Sequence, residues 1–268
     1  MKRILFATFT AAASTMAAAA AKPPAFFLAG DSTTAVQSTG GGGWGNGFLS
    51  FLSSPAFGAN KGHNGATTKS FVDGGDWAVV TGLVAENVAG YDTYVTIQFG
   101  HNDQKTTSGV TLAQYQRNLV ALANDVWELG GIPVSFTAYV MCPEQDGASE
   151  GAGTILVTPL TRRNFASNNN ATDSLHEERL ATIAAAEASN TTYLDLNQAS
   201  LAYVDAIGED AAHVYNLNPD DNTHLNAWGS VVFGRLLADL LLEKKPELSQ
   251  WIRANETLSG LIQSGLPA

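Results

Sequence analysis

The chain has 268 residues, 45% of them hydrophobic and 15% charged, which supplies one large core and leaves no strongly polar tract to suggest disorder. Its net charge of −11 excludes a surface that attracts nucleic acid or anionic lipid. A single cysteine, Cys142, excludes an intrachain disulfide, so the fold must rest on its core, and Cys142 itself reads as a buried thiol rather than a nucleophile.

In chain order, Met1-Lys2-Arg3 precedes an uncharged, Ala-rich run over residues 4–20 and then Ala21-Lys22-Pro23-Pro24. A basic start, a hydrophobic stretch too short and Ala-rich for a bilayer span and small residues at its end predict a signal peptide over residues 1–21. The expectations are a secreted, extracellular protein, with residues 22–268 as one domain and no membrane anchor. Loss of Lys2 and Arg3 would make the mature chain two charges more negative.

Apolar runs of strand length then alternate with helical patterns, as in βα units around a parallel sheet. The predicted strands are residues 26–29, 94–99, 132–140 and 192–196, with a weaker one at 57–63. Leu112, Tyr115, Leu119, Leu122 and Val126 share a helical face, as do Trp228, Val232, Leu236 and Leu240; such stripes cover a sheet. Two stretches resist the scheme. Residues 38–47 hold four consecutive glycines, and residues 143–170 are long, polar and rich in small side chains; each reads as a mobile loop over a site or a solvated insertion. The glycines are no phosphate loop, since no Gly-Lys-Ser/Thr follows. Sequons at Asn170, Asn190 and Asn255 fit a glycoprotein on a secretory route.

The chemistry sits where predicted strands end. The first ends in Gly30-Asp31-Ser32-Thr33, which puts the Ser32 hydroxyl at the carboxyl edge of the sheet, where open α/β proteins bind ligands. Alone, the tetrapeptide reads equally as a helix cap. A nucleophilic serine needs a base, and the base needs a carboxylate to fix its tautomer; Asp221 and His224, three apart before the last amphipathic helix, can supply both. After the second strong strand, Gly100-His101-Asn102-Asp103 places an amide that can donate to an oxyanion, and Asn64-Gly65 can present a backbone N–H.

Gly30-Asp31-Ser32, Gly65, Gly100-His101-Asn102-Asp103 and Asp221-x-x-His224 resemble the four blocks of the SGNH, or GDSL, hydrolases. The chain is most similar to their rhamnogalacturonan acetylesterases, through Thr33-Thr34, Gly43-Trp44-Gly45, Thr68-Lys69-Ser70-Phe71 and Thr161-Arg162-Arg163-Asn164-Phe165 as well. The resemblance implies a three-layer α/β/α sandwich on a parallel five-stranded sheet, a triad of Ser32, Asp221 and His224, and an oxyanion hole of Ser32, Gly65 and Asn102. It also implies an acetyl-enzyme on Ser32, no metal or other cofactor, and acetylated pectic polysaccharide as substrate. Ala66 stands where relatives often carry Arg, and the 143–170 stretch is longer than usual. Pectin is a polyanion, so Lys69, Arg162 and Arg163, with Lys61 and Lys105, are read as a basic rim that binds substrate. A monomer is expected.

Three other readings fit less well. A metallophosphoesterase could use His101, Asp103, Asp220, Asp221 and His224, but its early Asp-x-His is missing. An α/β-hydrolase needs a Gly-x-Ser-x-Gly elbow, also missing. A non-catalytic sugar-binding protein could stack sugars on Trp44 and Trp77, but the full set of Ser, Gly, Asn, Asp and His argues for turnover.

Overall fold

The computed structural model describes residues 21–130, 153–167 and 169–268. Residues 1–20, which hold most of the predicted signal peptide, the strand predicted at 132–140 and Cys142 lie outside the described residues. Eight strands are described: β1 (Pro24–Gly30), β2 (Val36–Ser38), β3 (Gly41–Gly42), β4 (Phe57–Asn60), β5 (Asp92–Gln98), β6 (Gly153–Val157), β7 (Thr192–Leu194) and β8 (Leu225–Asn226). Five form a wholly parallel sheet in the order β4-β1-β5-β6-β7.

Both faces of that sheet are covered, which is why β1 reads as the unbroken apolar run Pro-Ala-Phe-Phe-Leu-Ala-Gly and is buried throughout. Its side chains alternate between two cores. Phe26 and Leu28 meet Phe48, Val204, Phe233, Leu237 and Leu258, from helices Gly45–Leu49, Leu196–Ile207, Ala227–Lys244 and Glu256–Gln263. Ala25, Phe27 and Ala29 meet Phe71, Val80, Leu119, Val126 and Ala185, from helices Thr68–Asp73, Asp76–Asn87, Leu112–Glu128 and His176–Ala188. The fold is therefore a three-layer α/β/α sandwich.

The first predicted stripe holds at Tyr115, Leu119, Leu122 and Val126, all buried, whereas Leu112 is exposed in the first turn after the Thr111 cap. The second is too narrow. Helix Ala227–Lys244 buries every residue from Val232 to Ala238, because it is wedged between the sheet and other helices. Trp228 is 49% exposed, its indole N–H donating to the Ala268 carbonyl.

Two expectations are corrected. Within the supposed insertion at 143–170 lies β6, a fully buried strand paired with both β5 and β7. Its five residues, Gly-Thr-Ile-Leu-Val, give a short apolar signal that the longer run at 132–140 overshadows. The glycine run is neither a mobile loop nor a solvated insertion: β2, β3 and β8 make a small antiparallel sheet, with Gly41 opposite Asn226 and Gly42 opposite Leu225. A Cβ at Gly41 would lie 2.1 Å from the Leu225 carbonyl, and one at Gly43 2.0 Å from that of Thr33. Glycine thus lets the segment after Ser32 lie flat against the strand after His224.

From β1 the chain moves to β4 on one side, then returns to β5 on the other. The connections diverge above the carboxyl ends of β1 and β5, the crevice where such sheets bind ligands.

Candidate active site

At the end of β1 the chain turns at once rather than starting a helix. The N–H groups of Thr34 and Ala35 donate to the Asp31 carbonyl at 3.1 and 2.9 Å, and the Asp31 carboxylate accepts from the Thr33 N–H and hydroxyl at 2.8 and 2.7 Å. Ser32 sits on the outside of this turn, 7% exposed. Beneath it lies a buried polar layer. The Gln98 amide donates to the Thr33 hydroxyl at 2.8 Å and accepts from the Trp44 indole at 2.6 Å. Burial pushes the Asp31 carboxyl up to about 6 against the lowering effect of its Thr33 hydrogen bonds. Burial, aided by the charges of Arg162, His224 and Lys105, holds the neighbouring His101 well below the ordinary histidine range, so its ring is neutral near pH 7.

Across the crevice, a turn closed by the Asp221 N–H on the Asn218 carbonyl (3.0 Å) leads to His224. Asp221 Oδ1 accepts the backbone N–H groups of Thr223 and His224 at 3.1 and 2.9 Å, which aims the carboxylate back at the His224 ring. His224 Nδ1 lies 2.9 Å from Asp221 Oδ2, and Nε2 lies 2.8 Å from Ser32 Oγ. Burial raises the Asp221 carboxyl, but hydrogen bonds from the His224 backbone and ring outweigh it, leaving the pKa below its usual value. The helix that follows is capped by Asn226 rather than by Asn222 or Thr223, so Asp221 and His224 are free of capping.

Two further loops carry the other residues singled out as oxyanion donors. Gly65 has φ +80°, a conformation that calls for glycine, and an added Cβ would project into open space. Among the described residues, the backbone N–H groups of Ser32 and Gly65 have no hydrogen-bond partner. Asn102 Nδ2 donates to the Ala66 carbonyl at 3.0 Å, which ties its loop to that of Gly65 and leaves its second N–H available. Lys105 Nζ donates to Asn102 Oδ1 at 2.6 Å. Of the residues the sequence pattern singles out, Ser32, His224 and Asp221 are thus joined by hydrogen bonds and Asn102 is tied to the loop of Gly65, whereas Lys105, which holds Asn102, is named by the pattern only as a member of a diffuse rim.

One member of the rim, Arg163, is corrected. Lys69 is exposed and paired with Asp73 one turn along its own helix. Arg162 is half-buried and donates to Ser174 Oγ at 3.0 Å. Arg163 is fully buried and cannot touch a polymer; its guanidinium donates to Asn216 Oδ1 and to the carbonyls of Asp221 and His224. Trp44 and Trp77 are buried too, their indole N–H groups given to Gln98 and Asp125, so neither offers a sugar platform. The residues weighed as metal ligands diverge: Asp103 accepts from the backbone and hydroxyl of Thr68, and no group of three or more His, Cys, Asp and Glu comes together among the described residues.

A hydroxyl on an imidazole, an imidazole on a carboxylate and unpartnered N–H groups close by can carry out nucleophilic acyl transfer. On a doubly wound sheet and without a Gly-x-Ser-x-Gly elbow, the arrangement is distinct from that of the elbow-type α/β-hydrolases. Residues 28–231 match the profile of the GDSL-like lipase/acylhydrolase family, and the chain belongs to that family, whose members are carboxylic ester hydrolases. It is 29% identical over 208 residues to the rhamnogalacturonan acetylesterase RhgT of Bacillus subtilis, covering 73% of this chain and 78% of that one. Among solved structures, Bacillus subtilis YxiM superposes with a TM-score of 0.67 at 21% identity over 84% of this chain; the chain spans 58% of that protein's length. The acetylxylan esterase Axe2 of Geobacillus stearothermophilus superposes with a TM-score of 0.54 at 19% identity, covering 88% of this chain and 99% of that one. Among the described residues, no helix is long and apolar enough to cross a membrane.

Proposed function

We propose that this chain is a secreted, monomeric carbohydrate esterase that removes acetyl groups from pectic rhamnogalacturonan through an acetyl-Ser32 intermediate. The continuous relay from Ser32 Oγ through His224 to Asp221, 2.8 and 2.9 Å long, carries the mechanism. Ser32 Oγ attacks the acetyl carbonyl while its proton passes to His224 Nε2. The N–H groups of Ser32, Gly65 and Asn102 take the oxyanion, and Asp221 stabilises the imidazolium. His224 then protonates the departing sugar oxygen. A water attacks the acetyl-enzyme and gives a proton to His224, which hands it to the Ser32 oxygen as acetate is released. No step calls for a cofactor.

The substrate assignment is supported by the likeness to the acetylesterase RhgT and by the motifs that resemble that group. The chain's negative charge opposes approach to a polyanion, and Lys105, on Asn102, would offset it locally. The leader-like start at residues 1–21 and the sequons support secretion. The test is acetate release from acetylated rhamnogalacturonan and from acetylated xylan, in chelator, with Ser32→Ala alongside. Release from the pectic polymer that vanishes with Ser32→Ala supports both mechanism and substrate. Serine-dependent release from xylan alone keeps the mechanism and overturns the substrate, and persistence in Ser32→Ala overturns the mechanism.

A further inference from the structure

We propose that Arg163, read from the sequence as a substrate contact, is the positioning residue of the acid–base loop, holding Asp221 and His224 in register with Ser32 from behind. The inference rests on the esterase reading above. Arg163 follows β6, where the chain leaves the sheet edge, and its side chain is wholly inaccessible to solvent. Nε donates to Asn216 Oδ1 at 2.5 Å, and one terminal nitrogen donates to the carbonyls of His224 (2.7 Å) and Asp221 (3.3 Å). These are the main-chain groups of the two residues whose side chains form the relay. Its own backbone joins the same seam, with the Arg163 N–H donating to the Asn222 carbonyl at 2.8 Å and His213 Nε2 lying 2.8 Å from the Arg163 carbonyl.

The loop has no regular strand or helix over residues 216–224 and is otherwise held by a bridge between Asn216 and Leu225 and by the Asn222 side chain donating to Asn164 Oδ1 at 3.0 Å. Among the described residues, the His224 carbonyl otherwise accepts only from the Leu217 N–H. Asn216, which receives Arg163, passes the constraint on by donating to Asn222 Oδ1 at 2.8 Å. A buried guanidinium is an expensive way to satisfy carbonyls. Arg163 makes no ion pair with a carboxylate among the described residues, and burial lowers its pKa to about 10 even though the charge of Asp221 opposes the shift. What this arrangement provides is a rigid planar fork that joins three acceptors of one loop at fixed spacing, with a positive charge behind Asp221 that favours its ionised form. Lysine, with one flexible ammonium, cannot span all three.

The experiment compares wild type, Arg163→Met, Arg163→Lys and Ser32→Ala on a small neutral acetate ester, together with the downfield proton resonance of the His224 Nδ1–H. Because a misplacement of about 1 Å costs roughly 10²-fold in rate, Arg163→Met should lose about that much kcat with KM within twofold of wild type. Arg163→Lys should recover part of the loss, and the Nδ1–H resonance should broaden or shift in step with kcat. Should Arg163→Met fail to fold, Arg163→Lys decides. A lysine variant with wild-type kcat and an unchanged resonance overturns the proposal, as does a loss confined to KM. Failure of the esterase reading is separately visible as a wild type no faster than Ser32→Ala; the resonance then still reports whether Arg163 positions the pair.

Discussion

The nucleophile turn and the acid–base loop meet at one 2.8 Å hydrogen bond, yet they are built differently. The turn at Ser32 continues a central, fully buried strand and is closed by hydrogen bonds to residues two to four positions away, over a buried layer of Gln98 and Trp44. The loop carrying Asp221 and His224 is half-buried and extends from no core strand; the side chain that grips it comes from 53 to 61 residues earlier in the chain. One half is local and rigid by construction. The other depends on distant contacts, so mutations far from the chemistry in sequence should act through it.

The largest effect expected is on the bond that joins the halves. Ser32→Ala or His224→Ala should lower kcat by roughly 10⁴- to 10⁶-fold with the fold intact, read by single-turnover acetate release against thermal melting. Next, Asn102→Ala should reduce kcat roughly 10²- to 10³-fold with little change in KM, since its free N–H is placed for the oxyanion of the transition state; an effect on KM alone would assign it to ground-state binding. Gly41→Ala probes the seam between the halves. Its Cβ would strike the Leu225 carbonyl at 2.1 Å at φ +141°, so both Tm and kcat should fall, whereas loss of Tm alone would mean the small sheet does not set the His224 position.

A pH experiment sharpens the comparison from the side of the turn. The Asp31 carboxyl is raised from 3.8 to about 6 in the folded chain, so the native state holds its proton more tightly than the unfolded state. That stabilisation is fully present below about pH 4 and is lost as pH rises through 6, an amount of about 3 kcal/mol at most. Asp103 and Glu178, also raised by burial, act in the same direction. Urea unfolding of Asp31→Asn, which keeps the acceptor for Thr33, should show a shallower decline between pH 4 and 7 than wild type; parallel curves would refute the assignment. The smallest effect is expected at Lys69→Gln. Its exposed pair with Asp73 should contribute under about 0.5 kcal/mol, and KM for the polymer should not move.

Local chemistry was legible at the nucleophile turn. Gly30-Asp31-Ser32 follows an apolar run of strand length, and read as a strand that run carries the hydroxyl to the sheet's carboxyl edge, where the structure places it. Asp221 and His224 were legible for a similar reason, since three residues of turn suffice to bring carboxylate and ring together. β6 was not, because three apolar residues among glycines and hydroxyls carry no periodicity, and only pairing with β5 and β7 distinguishes them from a loop. The glycine run gave a composition without a cause; the cause is the carbonyls of Thr33 and Leu225.

The sequence by itself determined the alternation of strands and helices, the residue types at the carboxyl edge, and the family to which their order belongs. Tertiary structure alone decided which cations lie at the surface of the crevice and which are buried. A side chain's charge is written in the sequence, but its direction depends on acceptors that arrive from elsewhere in the chain. For Arg163 those acceptors are two main-chain carbonyls and an amide of the acid–base loop, and for Lys105 the side chain of Asn102.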